Sequence, residues 1–241
     1  MVQAYSLSDL RMNTAVIVAA GRGTRMGPGV DKLFLEVAGA PVVAHTWRRF
    51  DACPAVDEVV LVVREGMEGP FQELAEEWVR PLKPWRCVVG GRERQDSVWN
   101  GLEGLPDGHW VAIQDGARPC TTEETITRCL EAALKSGASV AAQRSTDTMK
   151  EADGEGCIAR HLDRSSLWSV QTPQCFRVGV LRAALSEVRR LGKMVTDDTA
   201  ACGLIGQSVT LVECRDPNPK VTSPSDLAYV GMLLGGVGGK G

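Results

Sequence analysis

The chain has 241 residues, 44% of them hydrophobic, which is long enough for one large core and makes a single domain with an excursion the expectation. With 27 Lys+Arg against 30 Asp+Glu, the net charge of −3 leaves no broad basic field and excludes an extended nucleic-acid surface. No apolar run reaches the ~20 residues that span a bilayer, and no charged-then-apolar leader marks secretion, so a cytoplasmic location is expected.

Residues 1–12 read as a poorly ordered leader. The apolar run Ala15-Val-Ile-Val-Ala-Ala20 is too short for an isolated helix and reads as a buried strand. It breaks at Gly21, Gly23 and Gly27, with Arg22, Arg25 and Lys32 among and after them. Glycines at a strand end let the backbone approach a ligand and expose its N–H groups, which suits phosphate oxygens; the basic residues add the charge that a polyphosphate needs. The dinucleotide fingerprint fails because the third glycine comes one position late. The Walker loop fails because Met26 stands where its second glycine belongs. A nucleoside triphosphate site remains, beside the plainer reading of a glycine-rich strand-to-helix turn.

Pro41 opens a helix in which Val43, Trp47 and Phe50 share a face. A buried strand follows at 58–63, then a helix over 67–79 and a short strand at 86–89. A second glycine turn, Gly90-Gly-Arg-Glu-Arg-Gln-Asp-Ser97, leads into a helix to about residue 102. The run 110–114 is a fourth strand. Thr121 with Glu124 predicts a capping box for a helix to about residue 135, followed by a fifth strand at 138–142. This alternation predicts an α/β fold, a doubly wound and mainly parallel Rossmann-like sheet. Such sheets bind ligands at the carboxyl ends of their strands, so the two glycine turns and Asp115-Gly-Ala-Arg118 should converge on one edge.

The rhythm breaks between residues 145 and 173. The segment is polar and too long for a structureless loop, which predicts a protruding β-arm that packs on a second subunit or else remains a surface insertion. Helices over 178–191 and 196–202, a sixth strand at 208–213 and a capped helix start at Ser223-Pro-Ser-Asp226 complete the chain. The tail 235–241, rich in glycine, is expected to be disordered. The eight cysteines form no Cys-x-x-Cys pair, and His45, His109 and His161 lie far apart, so thiol chemistry and structural zinc are not expected.

Asp115, at the end of a buried strand beside a triphosphate loop, most simply serves Mg²⁺, which takes one or two carboxylates plus phosphate oxygens; alternatively it caps its turn. Arg118 either clamps a phosphate or pairs with Asp115. Lys220, in Asn218-Pro-Lys-Val-Thr222, follows the last strand and would reach the same edge.

These motifs together resemble the 2-C-methyl-D-erythritol 4-phosphate cytidylyltransferases of the non-mevalonate isoprenoid pathway. The resembling stretches are Ala19-Ala-Gly-Arg-Gly-Thr-Arg-Met26 with Lys32, Gly90-Gly-x-x-Arg-x-x-Ser97, Asp115-Gly-Ala-Arg-Pro119 and Asp147-Thr-Met-Lys150. They continue with Asp163-Arg-Ser-Ser-Leu-Trp168, Gln171-Thr-Pro-Gln-Cys-Phe176, Thr196-Asp-Asp and Lys220-Val-Thr, in the family's order over nearly the whole chain. The resemblance implies transfer of CMP from CTP to the sugar-alcohol phosphate, with Mg²⁺ as cofactor and pyrophosphate leaving.

Carried over by motif, Arg25 and Lys32 would stabilise the charge at the α-phosphate and the leaving group. Lys220 would bridge the α-phosphate and the attacking phosphate, and Asp115 would hold Mg²⁺. Ala19, Ala20, Gly21 and Gly23, with Gly91 and Ser97, would hold the nucleotide and read its base. Arg118, Thr148, Thr172 and Thr196 would hold the alcohol phosphate. Arg164 would reach it from the arm of a partner subunit, because members of the family are homodimers whose arms embrace.

Two positions depart from the family's habit: Leu33 stands where glutamine is usual, and Arg92 is basic in the second turn. The chain ends soon after Asp226, so a single-function enzyme without a fused synthase domain is expected. A ribitol 5-phosphate cytidylyltransferase is the nearest rival, but its first loop commonly reads Ala-Gly-Gly rather than Ala19-Ala-Gly21. A non-catalytic nucleotide sensor would be expected to lose some of Arg25, Lys32, Asp115, Arg164 and Lys220. A sugar-transferring enzyme would be expected to carry an Asp-x-Asp metal motif.

Overall fold

In the computed structural model the described residues are 12–21 and 31–235. The leader over 1–11, Gly23 and Arg25 of the first glycine stretch, and the tail beyond 235 lie outside them.

Seven strands form one sheet: β1 (Asn13–Val18), β4 (Glu58–Val63), β5 (Trp85–Val89), β6 (Trp110–Asp115), β7 (Ala138–Arg144), β10 (Trp168–Arg177) and β11 (Thr210–Glu213). Their spatial order is β11-β7-β10-β6-β1-β4-β5. Pairings of β1 with β4 and β6, of β4 with β5, and of β11 with β7 are parallel, whereas β10 runs antiparallel to both neighbours. Two short strands, β2 (Glu36–Val37) and β3 (Ala40–Pro41), pair with each other, as do β8 (Lys150–Ala152) and β9 (Ile158–His161).

Successive side chains on a strand face opposite sides, and the core divides accordingly. Ala15, Ile17, Leu61 and Val63 pack with Trp47, Phe50 and Ile126 on one face, beneath helices α1 (Val42–Ala52) and α4 (Glu123–Ser136). Val16, Val60, Val62, Val111 and Ile113 pack with Leu102, Leu181 and Leu185 on the other. That second face lies beneath α3 (Arg94–Gly101), α5 (Val178–Arg190) and α6 (Asp198–Leu204). Helices therefore cover both faces, as the alternating pattern predicts. The chain closes with α7 (Pro224–Gly235), while α2 (Glu68–Leu74) runs on into a π-helical turn over Ala75–Val79. Among the described residues no helix is long and apolar enough to cross a membrane.

Three expectations change. Helix α4 is capped by Thr122, whose hydroxyl accepts the Thr125 N–H, while Thr121 is buried and turned to other partners. The start of α6 is set by Asp197, which accepts from Ala200 N, so the helix begins later than residue 196. The arm is shorter than 145–173, because from Trp168 onward the chain is already the antiparallel strand β10. That strand was not legible as one: Pro173 argues against a central strand, and Gln171, Thr172 and Gln174 break the apolar pattern. The ladder accommodates Pro173 with a register shift between Val170 and Gln174, and each of the three polar side chains is buried against a partner. The arm itself, β8 and β9 with a 3-10 turn at Arg164–Ser166, is exposed at every residue from 151 to 160.

Candidate active site

One pocket lies at the carboxyl ends of β1, β5 and β6. Ala19, Ala20 and Gly21 line it from the first strand, with Lys32 beyond them; Gly91, Arg94 and Ser97 come from the second turn, Asp115 to Ala117 from the third, and Lys220 from the far segment. The predicted convergence is therefore present.

The two glycine turns meet closely. A Cβ on Gly90 would lie 2.6 Å from the Ala20 Cβ and 2.8 Å from the Ser97 hydroxyl, so only glycine fits. Ser97 is buried and engaged: it accepts the Gly91 N–H at 3.1 Å and donates to the Glu93 carbonyl at 3.1 Å. It thus shapes the turn. Arg64, just past β4 and outside the pocket lining, contacts the described residues on either side of the first glycine stretch. Its Nη1 donates to the Gly21 carbonyl at 3.2 Å and its Nη2 to Asp31 at 2.5 Å, gripping both flanks of residues 22–30.

Asp115 is the centre of charge. Lys220 Nζ lies 2.9 Å from Oδ2, Arg118 Nε 3.4 Å from Oδ2 and Arg94 Nε 3.7 Å from Oδ1. Burial alone would raise its pKa, but Lys220, then Arg94 and Arg118, outweigh this and hold the carboxyl below its ordinary value. It is ionised at neutral pH. Its backbone N–H donates to the Thr172 hydroxyl at 3.1 Å.

Lys220 reaches Asp115 because its segment is pinned on both sides. The buried Asn218 side chain donates to the Thr172 carbonyl and accepts from the Thr121 hydroxyl. Val221 N donates to the Ala117 carbonyl, and the Val221 carbonyl accepts from Lys32 Nζ at 2.9 Å. Both lysines are thereby fixed at one rim.

Arg118 is tied down, with Nη1 on the Asn218 carbonyl at 2.7 Å, and burial lowers its pKa. Of the two readings from sequence, the pairing with Asp115 is the one present. Thr172 is buried beneath Asp115. Thr148 and Thr196 are exposed and outside the pocket lining. Arg164 is exposed on the arm and donates to the Thr146 carbonyl at 2.9 Å.

Arg94, Arg64 and Asn218 were missed as site residues. Arg94 stood in plain view as the arginine of the second glycine motif. The other two carry no local signal, because their partners are distant in sequence.

Residues 13–235 match the family described as IspD: 2-C-methyl-D-erythritol 4-phosphate cytidylyltransferase. This chain belongs to that family. The chain is 39% identical over 220 residues to the 2-C-methyl-D-erythritol 4-phosphate cytidylyltransferase of Geobacillus thermodenitrificans, covering 91% of this chain and 96% of the relative. It is 42% identical over 221 residues to the protein of the same description from Pelotomaculum thermopropionicum, covering 91% and 93%. Among solved structures it resembles 4-diphosphocytidyl-2C-methyl-D-erythritol synthase from Anaerococcus prevotii, with a TM-score of 0.83, 28% identity and coverage of 94% and 97%.

Proposed function

We infer that this chain transfers CMP from CTP to 2-C-methyl-D-erythritol 4-phosphate, giving 4-diphosphocytidyl-2-C-methyl-D-erythritol and pyrophosphate for isoprenoid precursor synthesis. The observation that carries the reading within this family is the convergence of both glycine turns, Asp115, Lys32 and Lys220 on one pocket. A phosphate oxygen of the alcohol attacks the α-phosphorus; the new P–O bond forms as the bond to the β-phosphate breaks, and pyrophosphate carries away the electron pair. Catalysis is then positioning plus stabilisation of charge that develops on the non-bridging oxygens. Lys32 and Lys220, held at the rim, are suited to that charge, with Arg25 proposed beside them.

Mg²⁺ is proposed as the cofactor, with Asp115 as its protein ligand. The fit is conditional on substrate: one ionised carboxylate among three cations has no negative charge to spare, so the ion would enter with the triphosphate. Bound there, it would neutralise phosphate charge. The main chain at Ala19, Ala20, Gly21 and Gly23 and around Gly91 is proposed to hold the nucleotide, with Ser97 keeping the second turn in shape. Arg118 and Thr172 would act on the alcohol-phosphate side through Asp115 and the 218–220 segment, with Thr148 and Thr196 contacting the alcohol from the surface. Arg164 is exposed on the arm and outside the lining of its own pocket, which supports a homodimer whose arms each complete the other subunit's site. A cytoplasmic setting suits the soluble substrates.

Pyrophosphate release with Mg²⁺ and CTP, comparing methylerythritol 4-phosphate with ribitol 5-phosphate, tests the reading. Release with the first alone is expected. Release with the second alone moves the enzyme to another pathway, and silence with both, in protein that binds CTP, overturns catalysis.

A further inference from the structure

Three separate pieces of the fold meet at Arg94. As the first residue of α3 it leaves the second glycine turn. Its Nη1 donates to Asp198 Oδ2 at 2.8 Å, while its Nε faces Asp115 Oδ1. The Asp198 side chain is wholly buried, and among the described residues its Oδ1 has no hydrogen-bond partner. A buried carboxylate with half its oxygens unsatisfied is costly to the fold, and the one cationic partner it has among the described residues cannot be removed cheaply.

Helix capping does not explain Asp198. The cap is Asp197, which accepts from Ala200 N and from the Thr199 hydroxyl. Asp198 instead meets Arg94, which itself lines the pocket. The same helix start is gripped from below by Gln174 of β10, whose Nε2 donates to Asp197 and whose Oε1 accepts the Asp198 N–H. Gln174 fixes the height of the α6 start above the sheet; Arg94 ties it sideways to the nucleotide turn. Thr196 lies two residues upstream of Asp198.

We propose that Arg94 is a positioning residue for the transfer: one guanidinium orients Asp115 on the nucleotide side and, through Asp198, holds the Thr196 segment in place on the alcohol side. This rests on the reaction inferred above. Arg94 differs in this from a cation kept solely for phosphate, since Nη1 is bonded to Asp198 and Nε lies beside Asp115. The alcohol site is then built on the nucleotide site.

The test is a cycle of Arg94→Gln, Asp198→Asn and the double variant, read as KM for each substrate, with amide hydrogen exchange at residues 196–200. Asp198→Asn keeps the volume of the side chain and should raise KM for the alcohol phosphate ~10-fold with little change for CTP, an effect in the range of contacting pairs. The double variant should be no worse than Arg94→Gln on that parameter, because both changes break one link. Exchange at 196–200 should accelerate in all three. Should Arg94→Gln fold poorly, Arg94→Lys keeps the charge but cannot span both carboxylates, and should still raise that KM. Multiplying effects in the double variant, or an unchanged alcohol KM with unchanged exchange in Asp198→Asn, would overturn the proposal. Exchange requires no substrate, so a wild-type protein silent toward both alcohols would count against the reaction while leaving this link open to measurement.

Discussion

The pocket floor and the arm both carry dense charge, under opposite conditions. On the floor, Asp115, Arg94 and Arg118 are largely withdrawn from water, each within 4 Å of an opposite charge, and pKa values move in response. On the arm, Glu151 and Arg160 pair across the hairpin while both stay more than half exposed, a contact worth little in water. Charges that act on a bound phosphate need low dielectric and fixed geometry. Under the proposed subunit contact, the arm's charges would stay solvated until the partner arrives. The two regions are separate, with the arm inserted between β7 and β10.

The largest effect should come from the rim. Lys32→Ala or Lys220→Ala should lower kcat by roughly 10²–10³-fold with an unchanged circular dichroism spectrum; near-normal turnover in either would remove that lysine from the mechanism. Next comes the packing that supports the floor. A Cβ on Gly101 would lie 2.6 Å from Val16 Cγ1 and 2.9 Å from Val62 Cγ2, so Gly101→Ala should cost about 1–3 kcal/mol in chemical denaturation.

Arg164→Ala sharpens the contrast from the arm's side. It should weaken use of the alcohol phosphate ~10-fold and leave CTP affinity and thermal stability as they were. Mixing it with Lys220→Ala should recover activity under the proposed dimer, because a mixed pair with exchanged arms would contain one intact site; no recovery would place Arg164 in its own subunit's chemistry.

The smallest effect lies at the start of α7, just past the Lys220 segment. The Thr222 hydroxyl, with the Thr222 and Ser223 N–H groups, holds the Asp226 carboxyl at about 2. A depressed folded value means this stabilisation is complete above the unfolded pKa and is lost as pH falls through about 2. Asp226→Ala should therefore cost roughly 0.5–1 kcal/mol near neutrality, with the gap to wild type closing between about pH 4 and pH 2 in an acid titration.

Much of this was readable in advance. The parallel strands announce themselves as short apolar runs, and Gly21, Gly90 and Asp115 mark their ends, so the position of the pocket follows from topology. Strand β10 was hidden because its buried positions are filled by Gln171, Thr172 and Gln174, whose burial makes sense only once Gln143, Asp115 and Asp197 are seen opposite them. The same blindness covers the charge hub: nothing local to Arg94 says that it meets Asp198, 104 positions away. Thr121 and Thr122 show the limit at its finest, since both suit a cap and only the tertiary partners of Thr121 decide between them.

The root of the arm has a mechanical consequence. Trp168 and Ser169 of β10 pair with Arg144 and Gln143 of β7 at that root, and a few residues further along β10 come Thr172, beneath Asp115, and Gln174, beneath α6. The segment that leaves the sheet as the arm thus returns, within one strand, as the support of Asp115 and of the α6 start. Substitutions at the root are expected to be felt first at those two side chains.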